Sequence, residues 1–213
     1  VVSHITDAVT TTDELIPSGE TSSFRSNPLR LAEFTLSRKD PAYVGRAKEV
    51  HAVEAAREAG QCPCEVSPEV AAVYDALQGK FGALDAKDIV LGSTIYANKP
   101  GDGSAREQAA SCQRVLGGAA NLAREYATKR YRSNLINWGM LPFLAPSAED
   151  FQVGDYLFLP QVRDRVLDGA PAQASIVRGG KIVGEVRLSL GALTDDERQI
   201  LLDGCLINFY RKH

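Results

Sequence analysis

The stretch that most constrains the fold is residues 101–107, which read Gly-Asp-Gly-Ser-Ala-Arg-Glu. Before it lies a continuous apolar and β-branched run, residues 88–96, of the kind that forms a strand buried on both faces. After it a helical pattern runs to about Leu116. Because Ser104 stands where this helix would begin, we expect it to be the N-cap, with Glu107 completing a capping box.

A strand, a glycine-rich turn and a helix start together are a common way to bind an anion. The first N–H groups of a helix have no partner within the helix and carry positive potential. Arg106 adds a fixed cation within the first turn. A serine hydroxyl held at Ser104 can be activated as a base, or it can bind a carboxylate. It can also be a helix cap and nothing more, and the local pattern leaves these alternatives open.

Composition and charge exclude several classes of partner. The chain has 213 residues and a formal net charge of −3. That charge gives no reason to expect nucleic acid or an anionic membrane as a partner, and the basic cluster at residues 129–132 is typical of a solvated helix face. No apolar stretch is long enough to span a membrane, and the N-terminus has no signal-peptide pattern. We therefore expect a cytoplasmic protein that fits one large domain.

Cysteine spacing argues against a metal site. Cys62 and Cys64 form a C-x-C pair rather than the C-x-x-C of zinc knuckles, and the histidines lie at no suitable spacing; they are His4, His51 and His213. We expect no metal to be bound by this chain and four unpaired structural thiols, with Cys112 and Cys205 in the core. A ligating or resolving role for Cys62 and Cys64 is the alternative.

The remaining pattern predicts a single α/β domain, with a mixed sheet core, flanking helices and a C-terminal hairpin followed by a helix. Residues 16–23 are too polar and too broken for regular structure, so we expect an irregular surface loop that Arg25 closes. Further expected elements are helices at 29–34, 43–59 and 68–77, a connector at 62–67, a short strand at 155–160, a hairpin around Gly179-Gly180, and a capping box at 194–197 that opens a last helix ending near Tyr210.

Four short motifs resemble the C-terminal swivel domain of the aconitase family, in the same order and at similar spacing. Residues 103–107, with Leu-Gly-Gly at 116–118, resemble its Gly-Ser-Ser-Arg-Glu…Leu-Gly-Gly signature. The other matches are Thr-Thr-Asp at 11–13, Phe-Arg at 24–25, and the segment from Asn134 to Pro142. The resemblance implies a swivelling β/β/α domain over residues 1–213, with a second parallel strand at 119–126. Such a domain is either part of a larger enzyme or its small subunit.

In that family the reaction is the reversible dehydration and hydration of a hydroxy di- or tricarboxylic acid such as citrate or isocitrate. The resemblance implies that Ser104 is the base, that Arg106 supports it, that Arg25 forks onto a substrate carboxylate, and that Asp13 orients the site. It also implies a [4Fe–4S] cluster, whose cysteines have no counterpart here. The cluster is then ligated outside this chain, by further domains or a large subunit, and the isolated chain is inactive.

Three departures from the family pattern bear on the substrate. Glu14 stands where better-known members have histidine, Ala105 replaces the second serine of the signature, and Gln108 replaces its histidine. A carboxylate at Glu14 would disfavour a third substrate carboxylate nearby, which leaves the substrate open. Two alternatives stand beside the main hypothesis. One is a non-catalytic carboxylate-binding or interaction module, and the other is the small subunit of an isopropylmalate-dehydratase-like enzyme.

Overall fold

A four-stranded parallel sheet forms the centre of the structure, a computed structural model that describes residues 1–212. His213, considered above as a metal ligand, lies outside the described residues. The strands are β1 (Ser3–Ile5), β2 (Thr10–Thr11), β3 (Ser93–Ala97), β4 (Pro100–Asp102), β5 (Gly118–Ala123), β6 (Leu141–Leu144), β7 (Tyr156–Phe158), β8 (Ala172–Arg178) and β9 (Lys181–Leu188). The central sheet has the order β1-β3-β5-β6, and β2 pairs in parallel with β4.

Helices surround the sheets. They are α1 (Thr12–Leu15), α2 (Ser18–Thr21), α3 (Pro28–Ala32), α4 (Tyr43–Glu58), α5 (Pro63–Val66), α6 (Pro68–Phe81), α7 (Arg106–Val115), α8 (Lys129–Asn137), α9 (Val162–Asp168), α10 (Asp195–Asp203) and α11 (Leu206–Lys212), with 3₁₀ turns at Ser22–Phe24, Ala86–Asp88 and Ala148–Asp150. No helix within residues 1–212 is long and apolar enough to cross a membrane.

The hydrophobic core lies on the two faces of the central sheet. One cluster packs α3, α4, α7 and α8 against β1 and β3, around the fully buried Tyr43, Ile95 and Leu135. The other joins the opposite face to the antiparallel sheet β7-β8-β9, around Tyr96, Leu122 and Phe143. The expected α/β class is confirmed. Parallel and antiparallel strands lie in separate sheets, which an isolated bridge between Leu144 and Ser189 connects, rather than in one mixed sheet.

The strand expected at residues 88–96 begins only at Ser93. Asp85 accepts a hydrogen bond from the Lys87 N–H and caps a 3₁₀ turn, and the Leu91 N–H donates to Glu54 at 2.9 Å. These contacts hold the first half of the apolar run outside the sheet. The expected parallel strand at 119–126 is present as β5, which ends at Ala123.

Three other expectations need correction. Residues 16–23 contain the short helix α2 and a 3₁₀ turn rather than an irregular loop. The connector at 62–67 contains α5, which Pro63 opens at its first position. The last helix is divided in two because Gly204 adopts a left-handed conformation, with φ of 92°, and ends α10.

Local turn signals are confirmed at the C-terminal end. Gly179 and Gly180 have φ of 56° and 72°, the positive values that a two-residue type I′ turn requires. Thr194 and Glu197 form the expected capping box of α10. Likewise, α8 ends before Gly139, whose φ is 71°, and Pro142 lies in β6 rather than in a helix.

Candidate functional site

The glycine-rich turn joins β4 to α7 and leaves the Ser104 hydroxyl exposed. The expectation that Ser104 caps the helix is wrong: α7 begins at Arg106, its N-cap is Ala105, and no side chain caps it. Glu107 completes no capping box and instead accepts a hydrogen bond from Trp138 Nε1 at 2.7 Å. Within residues 1–212 the Ser104 hydroxyl has no hydrogen-bond partner, so it is available to a ligand.

Two glycines bring this turn against its neighbours. Gly103 has φ of 132°, and a Cβ at that position would overlap the Thr12 hydroxyl. Gly101 has φ of 95°, and a Cβ there would overlap the ring of the buried Tyr131. Both backbone conformations are ones that L side chains rarely adopt. The turn therefore passes between Thr12 and Tyr131 in a path that only glycine permits at these positions.

The Thr-Thr-Asp segment lies beside the glycine-rich turn, as the resemblance implies. Thr11 pairs with Asp102 between β2 and β4, and Thr11 also caps α1 by accepting from the Glu14 N–H at 3.2 Å. The contact between Thr12 and Gly103 places the start of α1 next to Ser104. Two motifs from distant parts of the sequence thus meet at the carboxyl end of β3.

Asp13 lies at this junction but its carboxylate turns toward α2 and Arg38. It accepts hydrogen bonds from the Ser18 N–H at 3.2 Å and from Arg38 Nη1 at 3.0 Å. Arg38 also pairs with Glu20, so it ties α1 to α2. Asp13 makes no hydrogen bond to Ser104 or Arg106, and its contacts are those of a residue that orients the segment.

Glu14 does not present an uncompensated charge to the site. Its carboxylate accepts hydrogen bonds from the Thr11 N–H at 2.7 Å and the Thr11 hydroxyl at 3.0 Å, and Lys39 lies 3.3 Å away. Partial burial alone would raise the pKa of Glu14, but these hydrogen bonds and the Lys39 ammonium outweigh it and lower the pKa. We therefore expect weaker electrostatic repulsion between Glu14 and a third substrate carboxylate, because the Glu14 carboxylate already interacts with Lys39 and with the N-cap residue Thr11.

Arg106 differs from every other partly buried arginine within residues 1–212. Its Nε is shielded from solvent and has no hydrogen-bond partner, and its guanidinium makes no ion pair. The others each have a partner: Arg46 bonds Asp40, Arg57 bonds Glu54, Arg132 bonds the Ala192 carbonyl, Arg165 pairs with Asp168, Arg178 pairs with Asp155, and Arg198 bonds the Val166 carbonyl. A partly buried cation without a counter-charge is costly, so this position favours an anionic ligand.

Arg25 is exposed at the end of the 3₁₀ turn Ser22–Phe24 and makes no hydrogen bond or ion pair within the described chain. Its neighbour Phe24 stacks on Phe34, with ring centroids 5.3 Å apart, and both rings pack on the core cluster that includes residues of α7. The segment is thus anchored near α7. No contact joins Arg25 to Ser104 or Arg106, so their convergence on one ligand stays a prediction.

Sequence reasoning missed two groups that hold the turn. Trp138 is partly buried and fixes the first turn of α7 through its hydrogen bond to Glu107. Arg38 was not singled out, although it bonds Asp13. A long sequence separation hides both contacts, and no local pattern marks them.

The thiols of this chain do not fit an iron–sulfur cluster, which needs several cysteines around one centre. All four are free; Cys112 is buried, and Cys62, Cys64 and Cys205 are half-buried. Cys205 is therefore less buried than expected. Burial raises the pKa of the Cys112 thiol to about 11. Among residues 1–212, no group of three or more His, Cys, Asp or Glu side chains is placed to hold a metal ion.

The structure is thus an α/β domain with a candidate anion site, made of an exposed hydroxyl, an unpaired guanidinium and a glycine-rich turn at the carboxyl end of a parallel sheet. The family model for the aconitase C-terminal domain matches residues 69–148, which include Ser104, Arg106 and the segment from Asn134 to Pro142. The homoaconitase small subunit of Thermus thermophilus is 29% identical over 129 residues, which are 60% of this chain and 70% of that protein. Residues 69–148 therefore resemble an aconitase C-terminal domain, and the chain is similar to a homoaconitase small subunit.

A solved structure supports the fold. The 3-isopropylmalate dehydratase of Methanocaldococcus jannaschii aligns with a TM-score of 0.58 at 20% identity, over 98% of this chain and 90% of that chain. At this level of identity the likeness concerns the fold alone. The matched family segment does not include Asp13 or Arg25, so their roles rest on the motifs and contacts described above.

Proposed function

We propose that this chain is the part of an aconitase-type hydro-lyase that supplies the base and the carboxylate-binding arginines. Its substrate is a hydroxy di- or tricarboxylic acid. The observation that carries the proposal is the unpaired, partly buried guanidinium of Arg106, two residues after the exposed Ser104 hydroxyl. A site that served only the fold would pair this arginine, as the other partly buried arginines are paired.

The proton removed in such a reaction is on a carbon next to a carboxylate, and it is weakly acidic. In the proposed mechanism Ser104 Oγ, as an alkoxide, accepts this proton. Arg106 and the free N–H groups at the start of α7 favour the alkoxide over the neutral hydroxyl. In the hydration direction Ser104 returns the proton to the same carbon.

Arg25 is proposed to bind a substrate carboxylate through two parallel N–H···O bonds. Its freedom from internal partners supports this, because a paired arginine would first have to break an ion pair. Asp13 is proposed to act indirectly. By holding Arg38 and the Ser18 N–H, it fixes the helix start that lies against Gly103.

A tricarboxylic substrate such as citrate or isocitrate is supported by the pairing of Glu14 with Lys39 and by the similarity to a homoaconitase small subunit. An isopropylmalate-dehydratase-like small subunit is the second candidate, favoured by the shared fold. A non-catalytic carboxylate-binding module is the remaining alternative.

The [4Fe–4S] cluster of this class is proposed to lie on a partner, either a large subunit or further domains, because the cysteines here do not fit it. The isolated chain is then expected to be inactive. The same proposal has two further parts. Residues 1–213 form one domain of a larger enzyme or its small subunit, and the protein is cytoplasmic.

The test is Ser104→Ala in the complete enzyme, co-produced with its cluster-bearing partner and assayed anaerobically on citrate, isocitrate and isopropylmalate. Loss of a positioned base should lower kcat by about 10²–10⁴-fold with KM nearly unchanged. Ser111→Ala, on the solvent-accessible side of α7, is the matched control and should keep full activity. Near-normal kcat in Ser104→Ala, with an unchanged melting temperature, would assign the base to another residue.

A further inference from the structure

A cavity lies near the amino end of β3, whereas Ser104 lies beyond its carboxyl end. It has a volume of about 610 Å³ and is bounded by the end of α4, by α5 and α6, and by residues 83–87. Ser104 follows the carboxyl end of β3, whereas this cavity lies beside the segment that leads into the amino end of β3. The site proposed above makes no use of it.

Two thiols line this cavity. Cys62 and Cys64 flank Pro63, which opens α5, and both are half-buried and line the cavity. Burial, followed by the effect of the neighbouring Cys62 thiol, raises the pKa of the Cys64 thiol. Cys64 is therefore a poor nucleophile at neutral pH, but it lies close enough to Cys62 for the two thiols to interact.

The same cavity is lined by Tyr74, whose buried hydroxyl has no hydrogen-bond partner among the described residues. Tyr74 on α6 is 4% exposed, its ring packs in a small core cluster that includes Cys64, and its hydroxyl has no hydrogen-bond partner within residues 1–212. Burial raises the pKa of Tyr74, and the neighbouring Cys64 adds to the shift. A buried phenol of this kind lacks an acceptor, and a thiolate would provide one.

An ion pair joins two walls of the cavity. Arg57 donates to both carboxylate oxygens of Glu54 at 2.8 Å and to the carbonyl of Lys87 at 3.2 Å. These contacts fix the wall formed by residues 83–87 against α4. Because Glu54 also holds the Leu91 N–H, its charge is already satisfied and it is not a free ligand.

The number of donors decides the class of ion. Zn²⁺ and an iron–sulfur cluster need more ligands than two, and no third His, Cys, Asp or Glu joins the pair among the described residues. Thiolates are soft ligands and prefer soft metal ions. Among these, monovalent d¹⁰ ions can be stable with only two sulfur ligands in a linear arrangement. We infer that Cys62 and Cys64 form a two-coordinate site for a soft monovalent cation, of which Cu⁺ is the biological example.

Binding needs no electron transfer. The cation forms two bonds to sulfur, both S–H bonds break, and two protons leave to the solvent. The resulting bis-thiolate complex carries one negative charge. The Tyr74 hydroxyl then donates to a sulfur, and the exposed Lys87 ammonium at the mouth of the cavity offsets the charge.

The experiment is an anaerobic titration of the full chain with Cu⁺ against a competing chelator, repeated with Ag⁺ as a probe that does not change oxidation state. One ion should bind per chain, and Cys62→Ser and Cys64→Ser should each weaken binding at least 100-fold. Cys205→Ser, which removes another half-buried thiol, is the matched control and should bind as the wild type does. Tyr74→Phe should weaken binding several-fold without changing the stoichiometry.

X-ray absorption of the Cu⁺-loaded wild-type chain tests the geometry without a variant, and it should show two sulfur neighbours. Unchanged binding in either cysteine variant, a third or fourth ligand around Cu⁺, or equally tight binding of Zn²⁺ would each overturn the assignment.

Discussion

Two arginines, Arg106 and Arg178, show how differently this fold treats the same side chain. Both are partly buried. Arg178 on β8 donates to both oxygens of the buried Asp155, at 2.7 and 2.8 Å, while Arg106 at the start of α7 has no partner. A bidentate pair with a buried carboxylate stabilises the fold and leaves nothing for a ligand. The difference separates a region that maintains the structure from one whose guanidinium is free to bind a ligand.

The comparison predicts the largest effect for Arg106→Gln in the complete enzyme. Loss of a fixed cation beside the base should lower kcat by about 10²–10³-fold. The melting temperature should be unchanged or slightly higher, because an unpaired buried group is removed. Arg114→Gln, on the same helix but bonded to the Gly118 carbonyl, is the control and should keep kcat. A large loss of stability in Arg106→Gln would show that this arginine serves the fold, as Arg178 does.

Arg25→Lys is expected to act on binding instead. A lysine keeps the charge but cannot make two parallel bonds to a carboxylate. The loss should be about 2–3 kcal/mol, which is a rise in KM of about 30–150-fold. Steady-state kinetics of the complete enzyme measure it, with Arg30→Lys, in the neighbouring α3, as the control. An unchanged KM would remove Arg25 from the site.

Asp155→Asn should give the reverse pattern, with activity kept and stability lost. Arg178 would face an amide instead of a carboxylate, and one charge-assisted pair would be lost at a buried position. The expected cost is about 2 kcal/mol, or a fall in melting temperature of about 4–8 °C. Asp168→Asn, which affects the pair of Arg165 with an exposed rather than a buried carboxylate, should cost less than about 1 kcal/mol. Equal melting temperatures for the two variants would contradict the contrast drawn here.

The smallest effect is expected for Glu14→Gln, which keeps an acceptor for the cap but loses the charge paired with Lys39. Because the pKa of Glu14 is lowered in the folded chain, its charge stabilises the fold above the ordinary pKa of about 4.3. That contribution is lost as the pH falls through the lowered value. The variant should therefore lie within about 0.5 kcal/mol of wild type at pH 7. Urea unfolding at pH 7 and pH 3 measures this, and the difference in the free energy of unfolding between variant and wild type should vanish at the lower pH.

Elements set by local chemistry could be predicted from the sequence. The Gly179-Gly180 turn and the Thr194 cap follow from neighbours within a few residues, and both are confirmed. The start of β3 could not be predicted, because Glu54, far away in sequence, holds the Leu91 N–H outside the sheet. Secondary-structure propensities depend on neighbouring residues and cannot predict such long-range contacts.

The residue types of the candidate site follow from the sequence, but its geometry does not. Ser104 fits every local rule for a cap, yet Gly103 adopts φ of 132° against Thr12, and the helix begins two residues after the serine. The freedom of Arg106 from any partner is likewise a property of the folded chain. Motif resemblance indicated where to look, and only the contacts distinguish a cap from an available hydroxyl.

The pairing of Thr11 with Asp102 also determines when the site can exist during synthesis. Residues 1–15 leave the ribosome before residues 93–105, so they gain their partners only after that strand and turn have followed. Closing so long a loop is slow, and contacts of this kind form late in folding. A nascent chain therefore carries the start of α1 without its neighbour until residues 93–105 have been made. Anion binding at Ser104 would then report that the two distant segments have joined.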